Sequence, residues 1–242
     1  MIKKILYSNV FKITMMCIIM FSLLAFSHSR FDKRKASEIE VEFVKHDFRL
    51  LPPDSVNNLL KEKLKSTKNL GDIPLVLRDW ENYISNHPLI EKSEVYLSMD
   101  GKLRVVVEQK QAMARVIDGL QEWYIDQNGY RMPLSAFYAV RVPIVQGNTE
   151  WLSQESYVKL MQVINNDPFL EQHITGIEVF PKGQLRLYNR GYAFVIDFGK
   201  PIHIEQKFRN YKAFLQKAQK DSLIHQYQKI DLKFTQQVVC TK

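Results

Sequence analysis

His28, His46, His87, His173, His203 and His225 are the side chains of this 242-residue chain best suited to metal or acid–base chemistry. None has a second His, Cys or Asp at metal-ligand spacing, so each is expected to be structural or exposed. Glu40 and Glu42, one residue apart in an alternating segment, share the solvent face of a strand rather than forming an acid–base pair. Asp126-Gln127-Asn128-Gly129 opens like a calcium loop but lacks the later bidentate Glu, and a turn between strands explains it better. The serines sit at caps or in linkers, with no Gly-x-Ser-x-Gly and no His and acid pattern. A Walker loop and a Gly-x-Gly-x-x-Gly are also missing. Cys17, inside an apolar run, and Cys240, near the end, give no disulfide framework. The chain is therefore not expected to be an enzyme, to hold a metal or to carry a cofactor.

Around these residues the chain is organised by one apolar run. Ile13–Phe26 carries no charge, and Val10 and Phe11 extend it past Lys12. A spanning helix needs about 20 apolar residues. Counting from Val10, with the Lys12 amine reaching to the headgroups, the run is just long enough. A cleaved secretory signal competes, with Ala25-Phe26-Ser27 as its cleavage site. The uncleaved anchor is the reading adopted, with the N-terminus cytoplasmic. Lys3, Lys4 and Lys12 before the run and Arg30, Lys33, Arg34 and Lys35 after it leave the charge rule nearly tied. Both readings put residues from about 30 onward outside the cytoplasm. The net charge of +8 comes partly from these flanking cations. The others are dispersed, with no basic block interleaved with aromatics, so no nucleic-acid partner is expected.

The expected fold class is α+β. Glu38–Val44 alternates as a half-buried strand. The Pro52-Pro53-Asp54-Ser55 start opens a helix with Val56, Leu59, Leu60 and Leu64 at helical spacing. Gly71 punctuates, and Leu77, Trp80 and Ile84 share the face of a second helix that His87-Pro88 stops. Strands Glu94–Met99 and Lys102–Gln109 flank an Asp100-Gly101 turn. Strand, helix, helix, strand, strand makes a closed unit with two helices on one face of three strands. From about Met113 the chain is strand-rich: Glu122–Asp126, an Asn128-Gly129 turn, and Tyr138–Val145. A helix follows over Ser153–Asn166, with Ser153 as N-cap and Val158, Met161 and Ile164 inward, ended by Asp167-Pro168. Ile177–Phe180, Leu185–Asn189 and Tyr192–Phe198 read as a meander. A helix over Ile204–Lys220 turns Phe208, Tyr211 and Leu215 inward. Lys229–Val239 reads as a last strand, with Ile230, Leu232 and Phe234 anchoring it.

Trp80–Tyr96 as a short helix, proline and hairpin, Gly101–Val107, Trp123-Tyr124-Ile125-Asp126 with Gly129 and Met132-Pro133-Leu134-Ser135, Arg141–Val145 with Gly147, and Ile230-Asp231-Leu232-Lys233-Phe234 together resemble the FtsQ (DivIB) family of bacterial cell-division proteins, in its Bacteroidetes form. The resemblance covers nearly the whole chain. Gln109-Lys110-Gln111-Ala112-Met113 departs from the family's usual proline and arginine, and Lys233-Phe234 from its Arg-Tyr. The domains implied are a cytoplasmic tail 1–12, a transmembrane anchor 13–29, a juxtamembrane linker 30–37, a POTRA-like β-α-α-β-β domain 38–112 and a β-rich domain 113–242 with two helices and a C-terminal edge strand. The implied function is a non-enzymatic, single-pass scaffold of the divisome, in the inner membrane at the septum with its bulk periplasmic. The implied partners are bitopic division proteins of the FtsB and FtsL type. The expected partner-binding residues are Lys229, Asp231, Lys233, Phe234, Thr235, Gln236, Gln237 and Val238. A terminal strand at a sheet edge offers backbone groups to an extended partner; an internal, merely structural strand is the competing reading. Two other classes stand beside the scaffold. A POTRA-bearing export or outer-membrane assembly factor would normally carry repeated units or a barrel. A secreted hydrolase would need a site that no motif reveals.

Overall fold

The computed structural model describes residues 9–32, 39–44, 49–66, 73–98 and 102–242. The tail before Asn9, the linker from Lys33 to Glu38, Gly71, the Asp100-Gly101 turn and the Leu64 side chain lie outside the described residues. The first element is helix α1, Asn9–Asp32. Ile13, Met16, Ile18, Phe21 and Leu23 are each more than half exposed on it. Among the described residues no helix is long and apolar enough to cross a membrane. The apolar stretch Phe11–Phe26 is shorter than the roughly 20 residues of a usual span, and Lys12 lies within it.

The chain divides into two compact units, one of residues 1–46 and 52–108 and one of 47–51 and 109–242. The first follows the expected order: β1 (Ile39–Phe43), α2 (Pro53–Ser66), α3 (Ile73–Ser85), β2 (Ile90–Leu97) and β3 (Leu103–Gln109). The sheet order is β1-β3-β2, with β1 parallel to β3. Period-2 alternation buries Leu103, Val105 and Val107, and period-3.6 spacing buries Val56 and Leu60 on α2 and Trp80 and Ile84 on α3. Glu81 fastens α3 to β2, its carboxylate accepting from the Val95 N–H at 2.9 Å. Glu40 and Glu42 are exposed as expected, and Glu40 pairs with Arg104 across the ladder at 3.3 Å.

The second unit holds a nine-stranded sheet among the described residues, ordered β12-β11-β10-β9-β8-β7-β4-β5-β6. Its strands are β4 (Ala112–Asp118), β5 (Gln121–Asp126), β6 (Arg131–Met132), β7 (Ile144–Gly147), β8 (Ile174–Phe180), β9 (Gln184–Asn189), β10 (Val195–Gly199), β11 (Lys229–Asp231) and β12 (Val239–Thr241). Helices α4 (Gln154–Asn165), α5 (Pro168–His173) and α6 (Ile204–Lys220) complete it. Tyr157, Leu160, Met161 and Ile164 of α4, Leu170 of α5, and Phe208, Tyr211 and Leu215 of α6 join one core with Ile177, Val179, Leu185, Leu187, Ile196, Phe198, Ile230 and Leu232 of the sheet side. Ser153 caps α4, accepting from the Ser156 N–H. Asp167 ends that helix and also starts α5, accepting from the Phe169 and Leu170 N–H groups with Pro168 at the first helical position.

Asp126 is a turn-former. Its Oδ1 accepts from the Asn128 and Tyr130 N–H groups, both at 2.9 Å, and its Oδ2 pairs with Lys110 at 3.3 Å. Gly129 completes the turn at φ +83°, and a Cβ there would come within 2.8 Å of Val158 on α4. The expected strand Tyr138–Val145 is mostly irregular. The Tyr124 hydroxyl takes the Val140 N–H and Ser135 Oγ takes those of Phe137 and Tyr138, so these groups are not free for a ladder. Residues 47–51 complete the unit. Leu50 is fully buried; its N–H donates to Gln109 Oε1 at 2.6 Å, and its carbonyl accepts from Ser135 Oγ at 2.5 Å.

Candidate partner-binding edge

The expected last strand, Lys229–Val239, is broken in two. β11 runs parallel to β10, and Leu232 continues that pairing by donating its N–H to the Asp197 carbonyl at 2.8 Å. The backbone then turns. Asp231 Oδ1 accepts from the Lys233 N–H at 2.9 Å, an Asx-type bend. Two amides of α6, Gln206 and Asn210, donate to the Thr235 carbonyl at 3.1 and 2.8 Å. Held there, the chain cannot extend, and it returns as β12 antiparallel to β11, with Asp231 opposite Val239 and Lys229 opposite Thr241.

β11 therefore has a strand on each side, and the sheet ends at β12. Of the expected partner-binding residues, Lys229 and Asp231 lie on this internal strand. Lys233, Phe234, Thr235, Gln236, Gln237 and Val238 lie in the connection to β12. Ile230 and Leu232 anchor the sheet as expected, being 0 % and 1 % exposed, but Phe234 is 54 % exposed. Alternation would have buried Phe234; the grip on its neighbour's carbonyl overrides it. Val239 and Thr241 of β12 are exposed, and Cys240 and Val238 pack partly against the core. Burial pushes the Cys240 thiol up.

The face of the sheet opposite the helices carries a charged row. Glu178 of β8, Arg186 of β9, Asp197 of β10 and Asp231 of β11 stand in register. Asp197, 8 % exposed, is its hub: Lys229 Nζ lies at 2.6 Å, Arg186 Nε at 3.2 Å and Lys233 Nζ at 3.6 Å. Burial pushes the Asp197 carboxyl up, but the hydrogen bonds from Lys229 and Arg186 and the charges of Lys229 and Lys233 outweigh it and hold its pKa below the usual value. The Lys229 ammonium is raised in turn by its bond to Asp197. Tyr188 donates to Glu178 at 2.6 Å. Among the described residues no group of His, Cys, Asp and Glu is gathered to hold a metal ion. His173 is buried against the Tyr211 hydroxyl at 2.8 Å, and burial lowers its pKa, so it serves the core as a neutral ring.

The profile of the family described as FtsQ/DivIB, C-terminal related, matches residues 111–241, more than half of the chain and all of β4 to β12. The chain belongs to the FtsQ/DivIB family. It is 24 % identical over 203 residues to the cell division protein FtsQ of Salinibacter ruber, a stretch covering 78 % of this chain and 76 % of that protein. The major extracytoplasmic domain of the trans isomer of the cell division protein DivIB from Geobacillus stearothermophilus aligns with 46 % of the chain and 96 % of its own length. That alignment has 16 % identity and a TM-score of 0.31, too slight a likeness to bear on the fold. Within this FtsQ/DivIB chain, the edge residues Val239, Cys240 and Thr241 and the supporting Asp197, Gln206 and Asn210 lie outside the expected partner-binding residues.

Proposed function

We propose that this chain is a non-enzymatic scaffold of the bacterial division machinery that receives an extended segment of a small bitopic division protein, of the FtsB or FtsL type, along β12. The observation that carries the proposal is the outer side of β12, which pairs with no strand among the described residues. In a strand, half the backbone N–H and C=O groups point to each side, and those on the outer side of an end strand are open to another chain. Phe234, 54 % exposed on backbone held by Gln206 and Asn210, and Val239, 41 % exposed, flank that edge as apolar anchors. Family membership supports the division role.

The proposal includes the membrane. The exposed apolar side chains of α1 are unfavourable in water, and a bilayer covers them, with Lys12 reaching to the headgroups. The N-terminus is then cytoplasmic, and residues 38–112, as a POTRA-like domain, and 113–242 lie in the periplasm at the septum. The test is a photo-crosslinking residue placed at Val239 of the full chain in its native membrane, with Arg131 on β6, at the far end of the sheet, as comparison. Crosslinks from Val239 to a small bitopic division protein are expected. Crosslinks to such a protein from Arg131 and none from Val239 would move the docking surface elsewhere.

A further inference from the structure

Two cations, Lys229 of β11 and Lys233 of the connection, border β12 and at first sight suit an acidic partner, while Arg186 lies three strands in, on β9. Their positions say otherwise. Lys229 stands opposite Thr241 of the edge strand, yet its ammonium reaches the other way, to Asp197 on β10 at 2.6 Å. Lys233 also leans inward. Its side chain crosses β10 at Gly199, where a Cβ would come within 2.8 Å of Lys233 Cγ, and its ammonium lies 3.6 Å from both Asp197 and Asp231. Arg186 is shared between Asp197 and Glu178. Three cations thus face three carboxylates, and the row is neutral before any partner arrives. What remains at the margin is β12 itself, where Val239 and Thr241 are exposed and Cys240 carries the one ionisable side chain.

We infer that Asp197 is the specificity-determining residue of this edge: by drawing Lys229 and Lys233 inward, it leaves a margin that accepts an uncharged, extended, β-branched strand in preference to an acidic one. The inference rests on the docking reading above. Asp197 touches no partner and acts through the two lysines. An acidic strand would have to compete with a buried carboxylate for each ammonium, whereas an uncharged strand takes only backbone pairing and apolar contact.

The test uses the full chain in detergent and two synthetic peptides, one alternating Thr and Val, the other with Glu in place of Thr. Attachment is read by photo-crosslinking at Val239 and affinity by titration. A second readout needs no partner: the rate at which an amine-acylating reagent modifies Lys229 and Lys233. Wild type should prefer the uncharged peptide, with little change of affinity up to about 0.5 M salt. Both lysines, 40 % and 45 % exposed at the side chain but paired with Asp197, should be acylated more slowly than Lys242. Asp197→Asn should speed acylation of both. It should shift the preference roughly two- to thirtyfold toward the Glu peptide, the span expected of two exposed ion pairs, and make that binding salt-sensitive. Asp197→Glu should keep the wild-type preference. Lys242, past the strand, is common to all the proteins compared. Acylation rates indifferent to Asp197, or a wild-type preference for the Glu peptide, would overturn the inference while leaving the docking edge standing. Slow acylation with neither peptide crosslinking at Val239 would overturn the docking reading and the inference with it.

Discussion

Lys207 offers the sharpest test of the packing beneath β10 and β11. It sits in the first turn of α6, 2 % exposed, and its ammonium donates to the Phe198 and Lys200 carbonyls at 2.7 and 2.8 Å, 4.6 Å from the centre of the Phe198 ring. Burial pulls its pKa from 10.5 down to about 8, against the opposing charge of Asp231. The sign depends on which state holds the proton. Below pH 8 both folded and unfolded chains are protonated there, and Lys207 gives no slope. Between about 8 and 10.5 the unfolded chain keeps a proton that the folded chain has released, so stability rises with pH. At about 1.36 kcal/mol for each pH unit, the gain is roughly 2.5 kcal/mol by pH 10. Burial raises the Tyr157 and Tyr211 hydroxyls, so above pH 10 the unfolded chain releases protons that the folded chain keeps, and stability falls again. Urea unfolding followed by the fluorescence of Trp123 and Trp151, from pH 7 to 10, measures this. Wild type should gain about 2.5 kcal/mol relative to Lys207→Met over that range. Parallel curves for the two proteins would show that the buried ammonium is not destabilised by its surroundings.

Trp80 is 3 % exposed on α3, and Trp80→Ala should cost about 3–5 kcal/mol in urea unfolding of the first unit; a change under about 0.5 kcal/mol would mean that the helix presents another face. The Tyr157 hydroxyl is buried without a hydrogen-bond partner. Tyr157→Phe should therefore be at least as stable as wild type, and a loss above about 1 kcal/mol in the same assay would mean that the hydroxyl is satisfied in solution.

The sequence was most legible where one periodicity ran unopposed. Helix α6 spans Ile204–Lys220 as read, because Phe208, Tyr211 and Leu215 recur on one face between polar residues. It was least legible where a distant side chain commandeers the backbone. Ile230, Leu232 and Phe234 alternate perfectly well, and nothing in them shows that Gln206 and Asn210, some 25 to 29 residues earlier, hold the Thr235 carbonyl. Strand β4 was not read because Ala112 and Ala114 are poor strand formers, placed there by pairing with Asp126 and Ile125 of β5. Asp167-Pro168 read as a stop; the pair is also a start, since the aspartate caps α5. Asp197 did leave a signal: a lone carboxylate within the apolar run Phe194–Phe198, where a charge must have partners or not be there.

The borrowed segment 47–51 bears on the order in which the protein assembles. Its docking to Gln109 and Ser135 closes a loop over residues 52–108. For a flexible chain the length-dependent part of that closure is roughly 3.5 kcal/mol. The first unit removes much of this search by its own topology: β1 lies parallel to β3, and the Val44 N–H already meets the Val107 carbonyl at 3.0 Å. Once that pair has zipped, Leu50 emerges close in chain distance to its receptor. Folding of the first unit is thus expected to shorten the search for this closure. A lesion confined to that unit's core should appear as delayed acquisition of native structure in the C-terminal one, and an excised C-terminal fragment beginning at the family boundary would be missing its own fastener.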